Sequence, residues 1–175
     1  GDESYAGARS WDRFEKQILD LTGMTYILPT HQGRAAERIL YSHIGGKGKY
    51  FISNTHFDTT RANIEYSGAI AIDIPAQEGK DYNSTFPFKG NIDLEKLQNI
   101  INLYGEVNIA AVILTVTNNS GGGQPVSMQN AKEVSRICKK HDILFVLDCC
   151  RIAENSYFIH EKEQGYKEVP FREIA

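Results

Sequence analysis

Apolar positions along this chain switch repeatedly between a helical and a strand-like period. Trp11, Phe14, Ile18, Leu19 and Leu21 recur at helical spacing between Ser10 and Gly23, which predicts a helix over residues 11–22 with Ser10 as its cap. A short apolar run at residues 25–28 reads as a strand. After it, Pro-Thr-His-Gln-Gly-Arg (29–34) turns into a second helix from Ala35 to about His43, stopped by a glycine-rich stretch. Residues 49–53 read as a strand, 58–66 as a helix stopped by Gly68, and 69–74 as a strand of small and β-branched residues. Residues 75–91 are rich in Pro, Gly, Asn, Lys and Asp and read as an ordered excursion rather than a linker. Asp93 then caps a helix over 94–104 that Gly105 closes. Residues 110–117 are apolar on both faces, the pattern of a central parallel strand covered on both sides. A loop at 118–124 follows, a helix lies within 125–141, and a second two-sided apolar strand at 143–147 ends in Asp148. A last helix runs from about Arg151 to Gly165.

Strands separated by helices of 10–15 residues build βαβ units. The fold class is therefore α/β, a mostly parallel sheet with helices on both faces. Such sheets bind ligands at the carboxyl ends of their strands. The polar residues hardest to explain fall there: Thr30 to Arg34 after the first strand, Asn54 to Asp58 after the second, Asn119 to Gln124 after the long strand, and Asp148 to Arg151 after the last. Four loops are expected to line one rim.

Each of these has two readings on the residues alone. Gln32, Gly33 and Arg34 enter a helix, so free N–H groups and a guanidinium could hold a phosphate, or the turn is an ordinary capped one. Asn119 beside three glycines either lets a ligand approach the backbone or sits in a plain loop. Asp148, ending a strand expected to be buried, needs a cation or donor, and Arg151 three residues on is one structural candidate. Phe57 is either core or a platform for a flat ligand.

Composition narrows the class. The chain has 175 residues, 41% hydrophobic and 23% charged, enough for one domain with its own core. The net charge of −3 gives no broad attraction for a polyanion, which disfavours nucleic acid as a partner. No apolar run reaches the roughly 18 residues of a membrane span, so no membrane partner is expected. Cys138, Cys149 and Cys150 form no disulfide framework, which favours a reducing, cytoplasmic location. The five histidines and the vicinal cysteines have no zinc-site spacing, and neither a serine-hydrolase elbow nor a P-loop is present. The chain opens on Gly1, and residues 170–175 read as the first turn of a helix, which predicts a piece of something longer.

Six blocks together carry a family resemblance: Gly-Asp-Glu-Ser-Tyr-Ala-Gly (1–7), Pro-Thr-His-Gln-Gly-Arg (29–34), Phe-Asp-Thr-Thr (57–60), Phe-Lys-Gly-Asn-Ile-Asp (88–93), Gly-Gly-Gln-Pro-Val-Ser (122–127) and Ala-Glu-Asn-Ser-Tyr-Phe-Ile (153–159). In order and spacing, over essentially the whole chain, they resemble the β-eliminating lyase family, whose branches are tryptophanases and tyrosine phenol-lyases. The resemblance implies an incomplete large domain of the aspartate-aminotransferase-like fold (fold type I), binding pyridoxal 5′-phosphate, with residues 1–175 as part of a subunit more than twice as long. It implies that Gln32, Gly33 and Arg34 hold the cofactor phosphate and that Phe57 stacks on the pyridine ring. Asp148 would pair with the ring nitrogen, Arg151 would lie near the phenolic oxygen, and Asn119 near that oxygen and the substrate carboxylate. Tyr5 would be the general acid toward the leaving group and Glu3 a ligand of an activating potassium ion.

The implied activity is β-elimination of an aromatic amino acid in catabolism, tryptophan going to indole, pyruvate and ammonia, by a homotetramer built as a dimer of dimers. Asp58 is a candidate substrate residue that resembles the tryptophanase branch, whereas Thr60-Arg61 and Met128 look more like the phenol-lyase branch. Cys149-Cys150 departs from the small residues usual between this Asp and Arg, which leaves another β-substituted amino acid open as substrate. The family's Schiff-base lysine would lie beyond Ala175, after the next strand. These 175 residues alone are therefore expected to be inactive, and a truncated relative that keeps only the cofactor cradle is the non-enzymatic alternative.

Overall fold

The computed structural model describes residues 7–117 and 119–175. In chain order they form α1 (Arg9–Thr22), α2 (Gly33–Ile44), β1 (Tyr50–Ser53), α3 (Asp58–Tyr66), β2 (Ile70–Asp73), α4 (Leu94–Tyr104), β3 (Ile109–Thr115), α5 (Met128–Lys140), β4 (Phe145–Asp148), α6 (Ile152–Lys162) and α7 (Phe171–Ile174). All strand pairs are parallel, in the order β2-β1-β3-β4.

Alternation along the strands explains why helices cover both faces. Ile52, Val112 and Leu114 face one side, where α4 and α5 bring Leu97, Ile101, Val134, Ile137 and Cys138. Their neighbours Phe51, Ala111 and Ile113 face the other, against Tyr41 of α2 and Ile64 of α3. Tyr41 meets Phe51 edge-on at 5.3 Å between ring centres. The predicted cap of α4 is present, with Asp93 accepting from the Lys96 N–H and Gly105 ending the helix at φ 78°.

Three asparagines take the place of ladder bonds where the chain is irregular. Asn130 and Asn155 each grip one backbone unit at two points, accepting from the N–H and donating to the C=O of Ile92 and Val126 respectively. Asn54 extends the β1–β3 pairing past its end: its amide donates to the carbonyls of Thr115 and Gly90 and its oxygen accepts from the Thr115 N–H. The excursion after β2 is held by a bridge between Pro75 and Ile92 and by Gly90, whose N–H donates to Pro125. A side chain at Gly90 would strike that backbone, with a Cβ only 2.3 Å from the Gln124 oxygen.

Three expectations are corrected. Residues 25–28 form no strand: Tyr26 is 85% and Leu28 90% exposed, and they pair with none of the described strands. The first helix begins at Arg9 with Ala8 at its N-cap, so Ser10 lies inside it. The last strand is not covered on both faces, since it is outermost among the described strands and Leu144 and Leu147 are 46% and 39% exposed. Other boundaries differ by a few residues, as helix and strand ends ordinarily do.

The loop after β1 is tied to β2 through Asp73. His56 reaches it with both its N–H and Nδ1, at 2.8 and 2.6 Å, and Arg61 of α3 pairs with its other oxygen. Burial pushes the Asp73 carboxyl up, but the His56 hydrogen bonds and the charges of His56 and Arg61 outweigh it and hold it below the ordinary 3.8. A carboxylate whose folded value is depressed contributes stability above its unfolded value and loses it as pH falls through the folded one. Stability should therefore drop on acidification below about pH 4, and Asp73→Asn should flatten that limb in a urea titration repeated across pH.

Candidate functional site

The carboxyl ends of β1, β3 and β4 and the N-terminus of α2 enclose a cleft of about 440 Å³. Its walls are Gln32, Gly33, Arg34, Glu37, Phe57, Thr59, Thr115, Asn119, Asp148, Cys150 and Arg151. Seven residues singled out from the sequence, drawn from four separate loops, thus share one cavity.

Each is placed by a local device. Gln32 is the N-cap of α2 and bonds none of its amides through its side chain, and the first backbone bonds of the helix go from Ala35 and Ala36 to the Gln32 carbonyl. The N–H groups of Gly33 and Arg34 precede them and have no helical partner. They point the positive end of a 12-residue helix into the cleft. Among the described residues the Arg34 guanidinium has no ion-pair partner either. Phe57 is the N-cap of α3, half-buried, with its carbonyl accepting from the Arg61 N–H.

Asp148 ends β4 opposite Thr115, its register partner on β3. Its carboxylate accepts from the Thr115 hydroxyl and the Cys150 N–H. Burial first, and then the neighbouring Glu37 charge, push its pKa up, and those two hydrogen bonds only partly offset the rise. Arg151 does not neutralise it. Its Nη1 donates instead to the Thr117 carbonyl at 3.1 Å, and among the described residues no ion pair joins the two. The structural pairing open from the sequence is therefore overturned: an Arg three residues on is held by Thr117, two residues past β3.

Asp58 is not part of the cleft wall. It is exposed, and its carboxylate turns back to accept from the Thr59 N–H at 2.6 Å, capping its own helix. Glu3 and Tyr5 lie outside the described residues. Glu37, Thr59 and Thr115 were not singled out, and Cys150 stood out only as a departure from the family pattern. Glu37 had a readable signal, since it lies four residues after Gly33 and so on the same face of α2. Thr115 had a weaker one, as a polar end to an apolar strand.

Burial raises the thiol pKa of Cys149, aided by the Asp148 charge, to about 11, and that of Cys150 moves in the same direction for the same first cause. All three cysteines are free, Cys138 being buried. No described helix is long and apolar enough to cross a membrane.

A cleft with an anion-binding helix end on one wall, a carboxylate without a cation on another and an aromatic ring between suits a flat, phosphorylated ligand with a basic nitrogen. The chain is 49% identical over its full length to a tryptophanase of Salinibacter ruber and 51% to one of Hyphomonas neptunium. It is 47% identical to a tyrosine phenol-lyase of Fusobacterium nucleatum. It spans 37–38% of the length of these relatives. Among solved structures, a pyridoxal-phosphate-bound C-S lyase of Staphylococcus hominis matches 84% of this chain and 37% of its own, at TM-score 0.60 and 16% identity. The Helicobacter pylori aminotransferase PseC matches 81% of this chain and 33% of its own, at TM-score 0.55 and 20% identity. At those identities the likeness is one of fold. The profile of one family, beta-eliminating lyase, matches residues 1–173, and the chain belongs to that family.

Proposed function

We propose that this chain is the cofactor-cradling part of a pyridoxal-phosphate-dependent carbon-carbon lyase that eliminates the side chain of an aromatic amino acid, with tryptophan as the preferred substrate. The observation that carries the reading is the single cleft in which a free helix N-terminus with Arg34, the Phe57 ring and the uncompensated Asp148 carboxylate converge. When bound, pyridoxal phosphate supplies an electron sink for the carbanion left by α-proton removal, provided its ring nitrogen stays protonated.

The chain's own residues divide that work. Gln32, Gly33 and Arg34 bind the phosphate with N–H groups and a bidentate guanidinium. Phe57 covers one face of the ring and keeps water from it. Asp148, held by Thr115 and the Cys150 N–H, accepts from the protonated ring nitrogen. Burial and the Glu37 charge raise its proton affinity, so a cationic group placed beside it would be stabilised. Arg151 spends one nitrogen on Thr117 and keeps the rest of its donors for the phenolic oxygen, beside Asn119. On the family resemblance, Tyr5 protonates the leaving carbon, Glu3 helps to bind potassium and Asn119 also meets the substrate carboxylate.

A homotetrameric assembly is part of the same reading. It is supported by α1, none of whose residues is buried and whose Phe14 and Leu21 are exposed. The free cysteines and the absence of an apolar span among the described helices support a cytoplasmic enzyme.

Pyruvate release from tryptophan, tyrosine and S-alkylcysteine, compared in the complete protein with pyridoxal phosphate and potassium, tests the assignment. Tryptophan should turn over fastest. Asp58 lies between the cleft residues Phe57 and Thr59 and would have to release the Thr59 N–H to accept from an indole N–H, so Asp58→Thr should cost more with tryptophan than with tyrosine. Equal losses on both would remove the preference for indole, faster turnover of S-alkylcysteine would assign the cleft that Cys150 lines to a different β-substituent, and no pyruvate from any of the three would overturn the lyase reading.

A further inference from the structure

The cleft contains a second carboxylate to which neither the family resemblance nor the function above gives a role. Glu37 lies one helical turn after Gly33, on the wall that α2 presents to the cleft. Its Oε1 accepts from the Thr60 hydroxyl and its Oε2 from the Asn63 amide at 3.4 Å, both on α3. Thr60 is buried, and Phe57 caps the helix that carries it. One side chain thus links the helix whose N-terminus lines the cleft to the helix that Phe57 caps.

Glu37 also approaches Asp148 closely enough to raise its proton affinity. The charged and titratable groups around this pair are Arg34 and Tyr41 of α2, and Cys149, Cys150 and Arg151 after β4. None forms an ion pair with either carboxylate among the described residues. From α3, Arg61 is committed to Glu65 and Asp73, while Arg38 of α2 lies over the Tyr66 ring at 3.6 Å. Two carboxylates without a cation favour a cationic group placed beside them, since both contribute to its stabilisation.

We propose that Glu37 is a positioning residue of the cofactor site. It fixes the span between the phosphate-binding turn and Phe57 through Thr60 and Asn63, and its charge reinforces Asp148 in holding a protonated ring nitrogen. The proposal rests on the pyridoxal-phosphate reading of the cleft. A purely structural link between helices would need the hydrogen bonds but not the charge, so two substitutions separate the roles. Glu37→Gln keeps an acceptor for Thr60 and removes the charge, whereas Thr60→Val removes one bond of the link and keeps the charge.

The test is the carboxyl carbon-13 shift of Asp148 against pH in the unliganded complete protein, together with the dissociation constant for pyridoxal phosphate, for wild type and both variants. Glu37→Gln should move the Asp148 titration to lower pH, and Thr60→Val should leave it in place. Both should weaken pyridoxal phosphate about tenfold, the scale of one hydrogen bond to a charged group. An Asp148 titration unmoved by Glu37→Gln, or wild-type affinity in both variants, overturns the proposal while leaving the cofactor reading intact. A wild-type protein that takes up no pyridoxal phosphate overturns the cofactor reading and this proposal with it.

Discussion

Asp148→Asn should make the unliganded protein more resistant to heat and the complete enzyme at least about 100-fold slower, the scale on which removal of one well-placed electrostatic partner acts. The two effects have one cause. The folded protein raises the proton affinity of Asp148 through burial and the Glu37 charge, so at neutral pH the ionised carboxylate carries a penalty that the unfolded chain does not. The sign is opposite to that of Asp73: the penalty disappears as pH falls through the raised value, and stability improves over that range. A neutral amide of the same shape removes the penalty at every pH and can still accept from Thr115 and Cys150. It offers no charge to hold a protonated ring nitrogen, so turnover falls. Thermal melts at neutral pH, with and without pyridoxal phosphate, check both halves. A lower melting temperature for the unliganded variant would show that Asp148 has a stabilising partner in the fold.

Asn54→Asp should be among the most damaging isosteric changes in the molecule. The native amide donates to the carbonyls of Gly90 and Thr115, at 2.8 and 3.1 Å, inside a site where Asn54 is almost fully buried. The oxygen that replaces the amide nitrogen would face two carbonyl oxygens, while the other oxygen keeps the Thr115 N–H and the Ser53 hydroxyl as donors. The cost should be about 3 kcal/mol or more, from two lost bonds and an unpaired buried charge. For a chain of this size that corresponds to a fall of roughly 6–12 °C in melting temperature. The damage should also reach the cleft, because Asn54 binds the N–H of Thr115, the residue whose hydroxyl supports Asp148. Calorimetry with cofactor titration separates the two consequences; wild-type stability would mean that the β1–β3 junction does not need this amide.

Much of this architecture was legible in the residues. The run at 109–115 is apolar on both faces and became the central strand, and Asp93 and Gly105 marked both ends of α4. The cleft could be assembled because strand ends, where the polar residues cluster, meet at one edge of a parallel sheet. What failed depended on neighbours in space. Residues 25–28 have strand-like composition but pair with none of the described strands, and β4 has the sequence of a covered strand while its outer side is open. The sequence separation of Asp148 and Arg151 suited an ion pair, yet the Thr117 carbonyl took the guanidinium. Glu37 and Thr115 reach Asp148 only after α2 and β3 have packed beside β4, and Asp58 turns toward its own helix rather than the ligand.

If Asp148 holds a protonated pyridine nitrogen in this cleft, that proton is open to direct observation. The nitrogen-15 resonance of ring-labelled pyridoxal phosphate, bound to the complete protein at neutral pH, reads that proton directly. The resonance should lie in the pyridinium range with wild type and move toward neutral pyridine in Asp148→Asn. A bound ring whose nitrogen is unprotonated in wild type, or equally protonated in both proteins, would contradict that role for Asp148.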